Sequence, residues 1–190
     1  MLDLGFRPQV DRIVGRLPRN RQTMFFSATL DGAVGELARA YTNSPSRFEA
    51  ELASDPGEIQ HRFVAVTVDT KVETLAEHIR SSDGLILVFV RTKRGADRLA
   101  TKLQRHGVEA AAMHGDLSQS GRERALARFE SGKVRTLVAT DVAARGLDLE
   151  GVTHVINFDP PDEDKGYVHR TGRTGRAGRS GTAITFVLPE

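Results

Sequence analysis

The sequence predicts an α/β fold in which a mostly parallel β-sheet carries helices on both faces. Short apolar runs alternate with amphipathic stretches along most of the chain, which is the pattern of successive βαβ units. The run Leu85–Val90 is apolar at every position, as expected for a parallel strand covered on both sides. Gly107 and Gly132 follow two of the amphipathic stretches, where helices commonly end.

The first 45 residues predict a helix, a short strand and a second helix. Apolar residues at helical spacing indicate a helix from about residue 8 to residue 17, and Thr23–Phe26 has the composition of a buried strand. Asp31 can cap the second helix, which ends before Pro45. Prolines and small polar residues then predict a linker over residues 46–57.

Residues 58–190 predict the main domain, with regularly spaced strands and helices. The predicted strands are Arg62–Val68, Leu85–Val90, Val108–Met113, Thr136–Thr140, His154–Phe158 and Thr182–Leu188. Helical stripes lie between them, and Ser118 or Ser120 can cap the helix that carries Phe129. Because ligands of such sheets bind at the carboxyl ends of the strands, we expect the functional residues there.

Composition excludes several classes of protein. Hydrophobic residues make up 39% and charged residues 27% of the 190 residues, which excludes a disordered tail or a fibre. No apolar stretch approaches the length of a membrane span, and the start has no signal-peptide pattern, so we expect a soluble, cytoplasmic protein without a membrane partner. The absence of cysteine excludes disulfides, thiolate metal sites and a cysteine nucleophile.

Two polar segments follow predicted strands, and each allows two interpretations. Asp141–Asp148 holds two carboxylates and an arginine that could bind the hydroxyls or phosphates of a ligand, or Asp141 could cap a helical turn while Asp148 pairs with Arg145. His114–Arg122 could bind an anion at a helix N-terminus, or could serve only to cap that helix.

The segment Lys165–Gly181 is the most unusual of the chain. Four arginines recur at every third position among glycines: Arg170, Arg173, Arg176 and Arg179. Such a cluster is repulsive unless an anion neutralises it, and guanidinium groups match phosphate. The alternative is a flexible Arg/Gly segment that binds RNA loosely. Predicted structure at both ends of the segment favours a phosphate site.

Six phrases, in order, resemble the DEAD-box ATP-dependent RNA helicases of superfamily two. Met1–Phe6 resembles the phrase after the Asp-Glu-Ala-Asp box, and Gln22–Thr29 resembles motif III with its Ser-Ala-Thr link. The other four are similar to motif IV, the RNA-contacting segment after it, motif V and motif VI: Leu87–Lys93, His114–Glu123, Val138–Asp148 and His169–Arg176.

The resemblance implies a C-terminal RecA-like domain over 58–190, preceded by a βα remnant of the first RecA-like domain (motif III region) over 1–45. It implies roles by position. Arg173 and Arg176 would be arginine fingers, and Asp148 and Gly146 would contact ATP. His169, Arg145, Ser27 and Thr29 would couple the two domains. Contacts to the RNA backbone would come from Arg91, Thr92, Gly115, Arg122 and Thr140, and such contacts carry no sequence information.

The chain also departs from the family pattern. It has no Gly-x-x-x-x-Gly-Lys-Ser/Thr phosphate loop and no Asp-Glu-Ala-Asp box, so Mg²⁺ would be held mainly by the first domain. We therefore expect a piece of an ATP-dependent RNA helicase that is inactive alone. Alternatives are a stand-alone nonspecific RNA-binding module and a DNA-acting relative. Residues 1–45 would lack the neighbouring strands of their sheet, so we expect them to pack on the second domain, to exchange between copies in self-association, or to be the part of the chain least protected from hydrogen exchange.

Overall fold

A six-stranded sheet, parallel throughout, forms the core of the second of two units into which contacts divide the chain, residues 1–51 and 52–190. The computed structural model describes residues 6–27, 32–48, 57–147 and 149–189. The boundary between the units lies within residues 46–57, the segment interpreted as a linker. The α/β class predicted from the sequence is confirmed.

The second unit alternates strands and helices. The strands are β1 (Ile59–Ala65), β2 (Leu85–Phe89), β3 (Ala110–Met113), β4 (Thr136–Ala139), β5 (Val152–Asn157) and β6 (Gly181–Val187). Their order in the sheet is β1-β6-β5-β2-β4-β3. The helices are α3 (Lys71–Ser81), α4 (Lys93–Arg105), α5 (Gln119–Glu130), α6 (Asp141–Ala144) and α7 (Asp164–Thr171); α1 (Arg7–Val14) and α2 (Gly32–Tyr41) belong to the first unit.

Each face of the sheet has its own apolar layer. Val88 and Ile156 point to the side covered by α3 and α4, where Leu75 and Leu103 are fully buried. Leu87 and Val155 point to the other side, with the α5 residue Phe129. Because both faces are covered, β2 and β4 are apolar or buried at almost every position, which is why their sequences do not alternate.

Strand and helix ends differ slightly from the sequence prediction. The strand predicted at Arg62–Val68 lies at Ile59–Ala65, because its extent is set by residue-for-residue pairing with β6 rather than by its own alternation. Ser118 is the N-cap of α5 and accepts a hydrogen bond of 3.1 Å from the Gly121 N–H. Gly107 follows α4 with φ +73°, the left-handed conformation expected after a helix.

The first unit contains the two predicted helices but not the predicted strand. Thr23–Phe26 forms no ladder with any strand in the described ranges, so this prediction was wrong. A strand needs a neighbour for its backbone groups, and apolar composition alone does not supply one. The Tyr41 hydroxyl donates to the Asp11 carboxylate and joins the two helices. Asp31, the predicted cap of α2, lies outside the described residues.

Among the residues that the structure describes, no helix is both long and apolar enough to cross a membrane.

Candidate functional site

The carboxyl ends of the parallel strands lie along one edge of the sheet, which we call the carboxyl edge. Arg91 and Thr92 follow β2, Gly115 follows β3 and Thr140 follows β4. These are four of the five residues for which RNA-backbone contacts were predicted. The fifth, Arg122, lies in the first turn of α5, the helix that the Gly115 loop leads into.

Hydrogen bonds fix the backbone of the carboxyl edge. Thr92 is the N-cap of α4, and its hydroxyl accepts a 3.0 Å hydrogen bond from the Gly95 N–H. Thr140 is buried, and its N–H donates to the Met113 carbonyl at 3.3 Å, which joins the ends of β4 and β3. These loops therefore present their polar groups from a framework that is already formed.

Two aspartates hold the β2 end of this edge. Asp159 accepts hydrogen bonds from the Lys71 ammonium at 2.8 Å and from the Arg91 N–H at 3.0 Å. The Arg91 guanidinium itself binds the Asp162 carboxylate at 3.0 Å, in a pair that is mostly exposed. Because exposed ion pairs contribute only about 0–1 kcal/mol, an incoming phosphate can displace Asp162 from Arg91 at little cost.

A second ion pair lies beside Gly115. The Lys93 ammonium is 2.6 Å from the Asp116 carboxylate, and this hydrogen bond lowers the pKa of Asp116 below its ordinary value. His114 is buried, and its Nε2 lies 2.9 Å from the Asp97 carboxylate. The side chains that flank Gly115 are thus held in place, while Gly115 itself stays exposed.

Arg170 is buried inside the domain and is not part of a surface arginine cluster. Its Nε and one terminal nitrogen donate to the two Asp141 carboxylate oxygens, each at 2.7 Å. Its other terminal nitrogen donates to the Asn157 side chain at 3.2 Å and to the Asp159 carbonyl at 2.6 Å. The guanidinium also lies 5.0 Å from the Phe89 ring centre. Arg170 therefore ties α7 to the ends of β4 and β5.

The glycine-rich loop after α7 is anchored, which argues against a flexible Arg/Gly segment. The buried Thr174 hydroxyl donates to the Val152 carbonyl at 2.7 Å. The Gly175 carbonyl accepts from the Gly57 N–H at 3.0 Å. Gly175 has φ +65°, and a Cβ there would lie 2.6 Å from the Ile59 side chain, so only glycine fits. The loop is held against the amino ends of β5 and β1.

This loop places Arg173 and Arg176 in a cleft of about 450 Å³ at the amino ends of β5 and β6. Leu149–Thr153 forms the opposite wall. Arg173 donates to the Leu147 carbonyl at 3.1 Å, and Arg176 to the Gly172 carbonyl at 2.8 Å. Both arginines lie at the amino ends of strands and not at the carboxyl edge, because α7 carries the chain back across the sheet before they occur.

Comparison with known proteins identifies the domain. The family described as "Helicase conserved C-terminal domain" matches residues 70–178. The chain belongs to this family. Its DEAD-box resemblance is confirmed by relatives along its whole length: the DEAD-box ATP-dependent RNA helicase CshA of Geobacillus kaustophilus is 44% identical over all of this chain and 41% of the relative. The ATP-dependent RNA helicase DBP2 of Candida albicans is 45% identical over 98% of this chain and 34% of the relative.

Solved structures confirm the RecA-like fold of this helicase C-terminal domain. Saccharomyces cerevisiae Dbp5 bound to RNA and ADP BeF₃ matches 98% of this chain and 50% of that chain, with 33% identity and a TM-score of 0.82. The Escherichia coli DEAD-box protein SrmB, solved with the regulator RraA, matches 71% of this chain with a TM-score of 0.64, 38% identity and 79% coverage of that chain. The chain thus spans about two fifths of the curated relatives' length.

The structure describes some of the remaining predicted site residues and leaves two of them outside its described ranges. Arg145 ends α6, Gly146 follows it with φ +77°, and His169 is exposed in the last turn of α7. Ser27 is exposed in the first unit. Two further predicted residues, Thr29 and Asp148, lie outside the described residues.

Sequence reasoning missed the Arg170–Asp141 pair. It considered capping and ligand binding for Asp141, and it grouped Arg170 with the other three arginines of its segment. The available signal was position: Asp141 directly follows the buried strand β4, Arg170 lies on the helix after β5, and these two strands lie on either side of β2 in the sheet. The partners of Lys71 and Arg91 on the β5 loop were missed for the same reason.

The described residues of the helicase domain form no cluster of side chains that could hold a metal ion. They contain no group of three or more histidine, aspartate or glutamate side chains that could hold one. We therefore assign no ligand of Mg²⁺ among the described residues.

Proposed function

We propose that this chain supplies the second RecA-like domain of a DEAD-box RNA helicase, with the residues before the linker belonging to the first RecA-like domain. In this proposal the domain binds the RNA backbone at its carboxyl edge and contributes Arg173 and Arg176 to ATP hydrolysis. The observation that carries the proposal is the placement of Arg173 and Arg176, together with Arg179, in one cleft by a loop anchored to the sheet. Both sites then belong to the same unit, residues 52–190.

The nucleotide side needs a second domain. Arg173 and Arg176 would contact the γ-phosphate of ATP bound on the first RecA-like domain, where Mg²⁺ and the phosphate loop would lie. Asp148 and Gly146 would face the ribose and phosphates, and Arg145, His169, Ser27 and Thr29 would couple the domains. An arginine finger stabilises charge that develops in phosphoryl transfer, and it has nothing to stabilise without bound ATP. We therefore infer that the chain alone does not hydrolyse ATP.

The RNA side needs no second domain. Arg91, Thr92, Gly115, Arg122 and Thr140 would contact the sugar-phosphate backbone, so binding would be sequence-independent and would weaken with salt. Arg91 is exposed and its ion pair with Asp162 is open to solvent, which favours this role. Separation of strands would follow when the two domains close on ATP and bend one RNA strand.

The test is reconstitution. The chain alone, a separately made first RecA-like domain, and the two mixed would be assayed for ATP turnover with and without RNA. The proposal predicts turnover only in the mixture and stimulation by RNA. Turnover by the chain alone, or none in a mixture that forms a complex on RNA, would contradict it.

A nonspecific RNA-binding module remains the second candidate, favoured by the exposed basic residues at the carboxyl edge. The two candidates differ in nucleotide dependence. For a helicase domain, RNA affinity of the reconstituted pair should rise with an ATP analogue, whereas a simple module should be indifferent to nucleotide. Competition by DNA of equal sequence would test the DNA-acting alternative, because 2′-hydroxyl contacts distinguish the two.

Replacing Asp162 by asparagine is expected to raise RNA affinity by about 1.4- to fivefold. The substitution removes the carboxylate that competes with phosphate for Arg91, and such exposed pairs correspond to about 0.2–1 kcal/mol. Fluorescence anisotropy with a labelled single-stranded RNA measures the change. Glu77→Gln, on the exposed side of α3, is the charge-matched control and should have no effect. Equal gains for both variants would assign the effect to net charge alone.

Residues 1–45 are expected to promote self-association of the chain. Met24 is 71% exposed and Phe26 84% exposed, and exposed apolar side chains favour association. Replacing both by serine should lower the fraction of dimer in sedimentation velocity. Phe63→Ser is the control, since Phe63 is 67% exposed on β1 of the other unit. If the double variant associates as strongly as the unchanged chain, another surface is responsible.

A further inference from the structure

The amino ends of β3 and β4 carry a basic groove that none of the predicted roles uses. Two adjoining clefts of about 320 and 290 Å³ share the residues Gly107–Glu109. We call them together the amino-edge groove, after its position on the edge of the sheet opposite to the carboxyl edge. Its further charged and polar lining consists of Arg80, Gln104, Arg128, Lys133, Arg135 and Thr136.

The groove is cationic. Four basic side chains line it against the single carboxylate of Glu109. Arg80 donates to the His106 carbonyl at 3.0 Å and Arg135 to the Ser82 carbonyl at 3.5 Å. Neither bond neutralises a charge, so the excess of positive charge persists. A guanidinium tied to a carbonyl keeps other N–H donors, which suit the oxygens of a phosphate.

A buried hydroxyl gives an independent sign of a ligand. Thr136 is 1% exposed, and its Oγ1 has no hydrogen-bond partner among the described residues. It lies in β4 on the same face as Val138, the side covered by α3, and it lines the groove beside Lys133. A buried polar group without a partner lowers stability. Valine would fill the same volume without that cost, so the hydroxyl is explained if the side chains around it move far enough for a bound anion to accept from it.

We propose that the amino-edge groove binds phosphate groups of an RNA backbone, as a second contact surface across the sheet from the carboxyl edge. The identity of the polyanion rests on the proposed function; the phosphate chemistry does not. The apolar lining residues Ile79, Val108 and Val134 are buried. The accessible lining is therefore charged or polar, and it lacks the exposed apolar anchor on which a bound protein segment depends.

Two variants of the 190-residue chain test the proposal by RNA anisotropy over a range of salt. Arg128→Glu combined with Lys133→Glu should weaken RNA binding at least tenfold. It should also reduce the slope of log affinity against log salt by about 1.4, the value for two phosphate contacts on a single strand. Arg62→Glu on β1, at the other end of the strand order, is the control for a single charge reversal and should change affinity less than twofold, whereas Arg128→Glu alone, which changes the net charge equally, should weaken binding more.

Thr136→Val separates a binding role from a structural one. It should weaken RNA binding about threefold and raise Tm by about 2–4 °C, because it removes an unsatisfied buried hydroxyl. Weaker binding together with higher stability supports the proposal. Unchanged RNA affinity in both Thr136→Val and the double variant overturns it, whatever their stability.

Inorganic phosphate and an acidic peptide distinguish the sources of the anion. Phosphate should shift the amide resonances of Lys133 and Thr136, and RNA should compete with it. Displacement of phosphate by a polyglutamate peptide but not by RNA would overturn the proposal in favour of a protein partner. Arg91→Ala tests the proposed function separately. If RNA binding is lost only in that variant, the helicase proposal is supported and the proposal that the amino-edge groove binds RNA is contradicted.

Discussion

Replacing Arg173 and Arg176 by alanine is expected to reduce RNA-stimulated ATP turnover of the reconstituted two-domain pair by about 10³- to 10⁵-fold. Both side chains line the cleft at the amino ends of β5 and β6, on a loop that Thr174 anchors. An arginine finger contributes this much by stabilising transition-state charge. Single-turnover hydrolysis measures it. The KM for ATP should change much less than kcat, because the contribution concerns the transition state.

Arg98→Ala is the matched control for this loss. Arg98 is an exposed arginine of α4 whose Nε donates to the Arg94 carbonyl within the same helix. Turnover should stay within about twofold of the unchanged pair, and surface substitutions of this kind usually alter stability by no more than about 0.5 kcal/mol. If the double variant also turns over normally while remaining folded, Arg173 and Arg176 are not fingers.

Replacing Arg170 by alanine is expected to lower the free energy of unfolding by about 3 kcal/mol. The change removes the two bonds to Asp141 and leaves the fully buried Asn157 side chain with one fewer donor. Breaking a buried ion pair costs about 3–5 kcal/mol, and the partial exposure of Asp141 places this case at the lower end. Thermal unfolding should show Tm lower by roughly 6–12 °C.

Arg170→Lys provides the internal comparison. Lysine keeps the charge but cannot bind Asp141 with two parallel bonds while also reaching Asn157. We therefore expect a loss intermediate between those of the alanine variant and the Arg98→Ala control. A loss below about 0.5 kcal/mol for Arg170→Ala would show that the network does not hold α7 to β4 and β5.

Most of the sheet could be predicted from the sequence because burial on both faces leaves a strong pattern. Leu85–Phe89 is apolar throughout. Strands and helices alternate along the chain on either side of it, and Thr92 and Ser118 cap two of these helices. Thr23–Phe26 has a similar composition but forms no strand in the described residues, since pairing depends on a neighbour that composition does not report. The strand predicted at Arg62–Val68 lies at Ile59–Ala65 for the same reason, because pairing with β6 sets its extent.

The candidate site was predictable where it follows strands and less so where it depends on contacts across the fold. Thr140 and Gly115 follow β4 and β3, so topology alone places them on one edge. Arg170 could not be separated from Arg173 by spacing, because one is buried against Asp141 and the other lies in the cleft of the glycine-rich loop. The spacing of charged residues along the sequence does not show how deeply each side chain is buried.

The most direct measurement compares the RNA affinity of the reconstituted pair with and without ADP BeF₃, before and after Arg173 and Arg176 are replaced by alanine. Our account predicts that the nucleotide analogue tightens RNA binding of the unchanged pair, and that the double variant keeps the nucleotide-free affinity but loses the tightening. Equal tightening in both proteins would contradict the claim that this domain senses nucleotide through those two arginines.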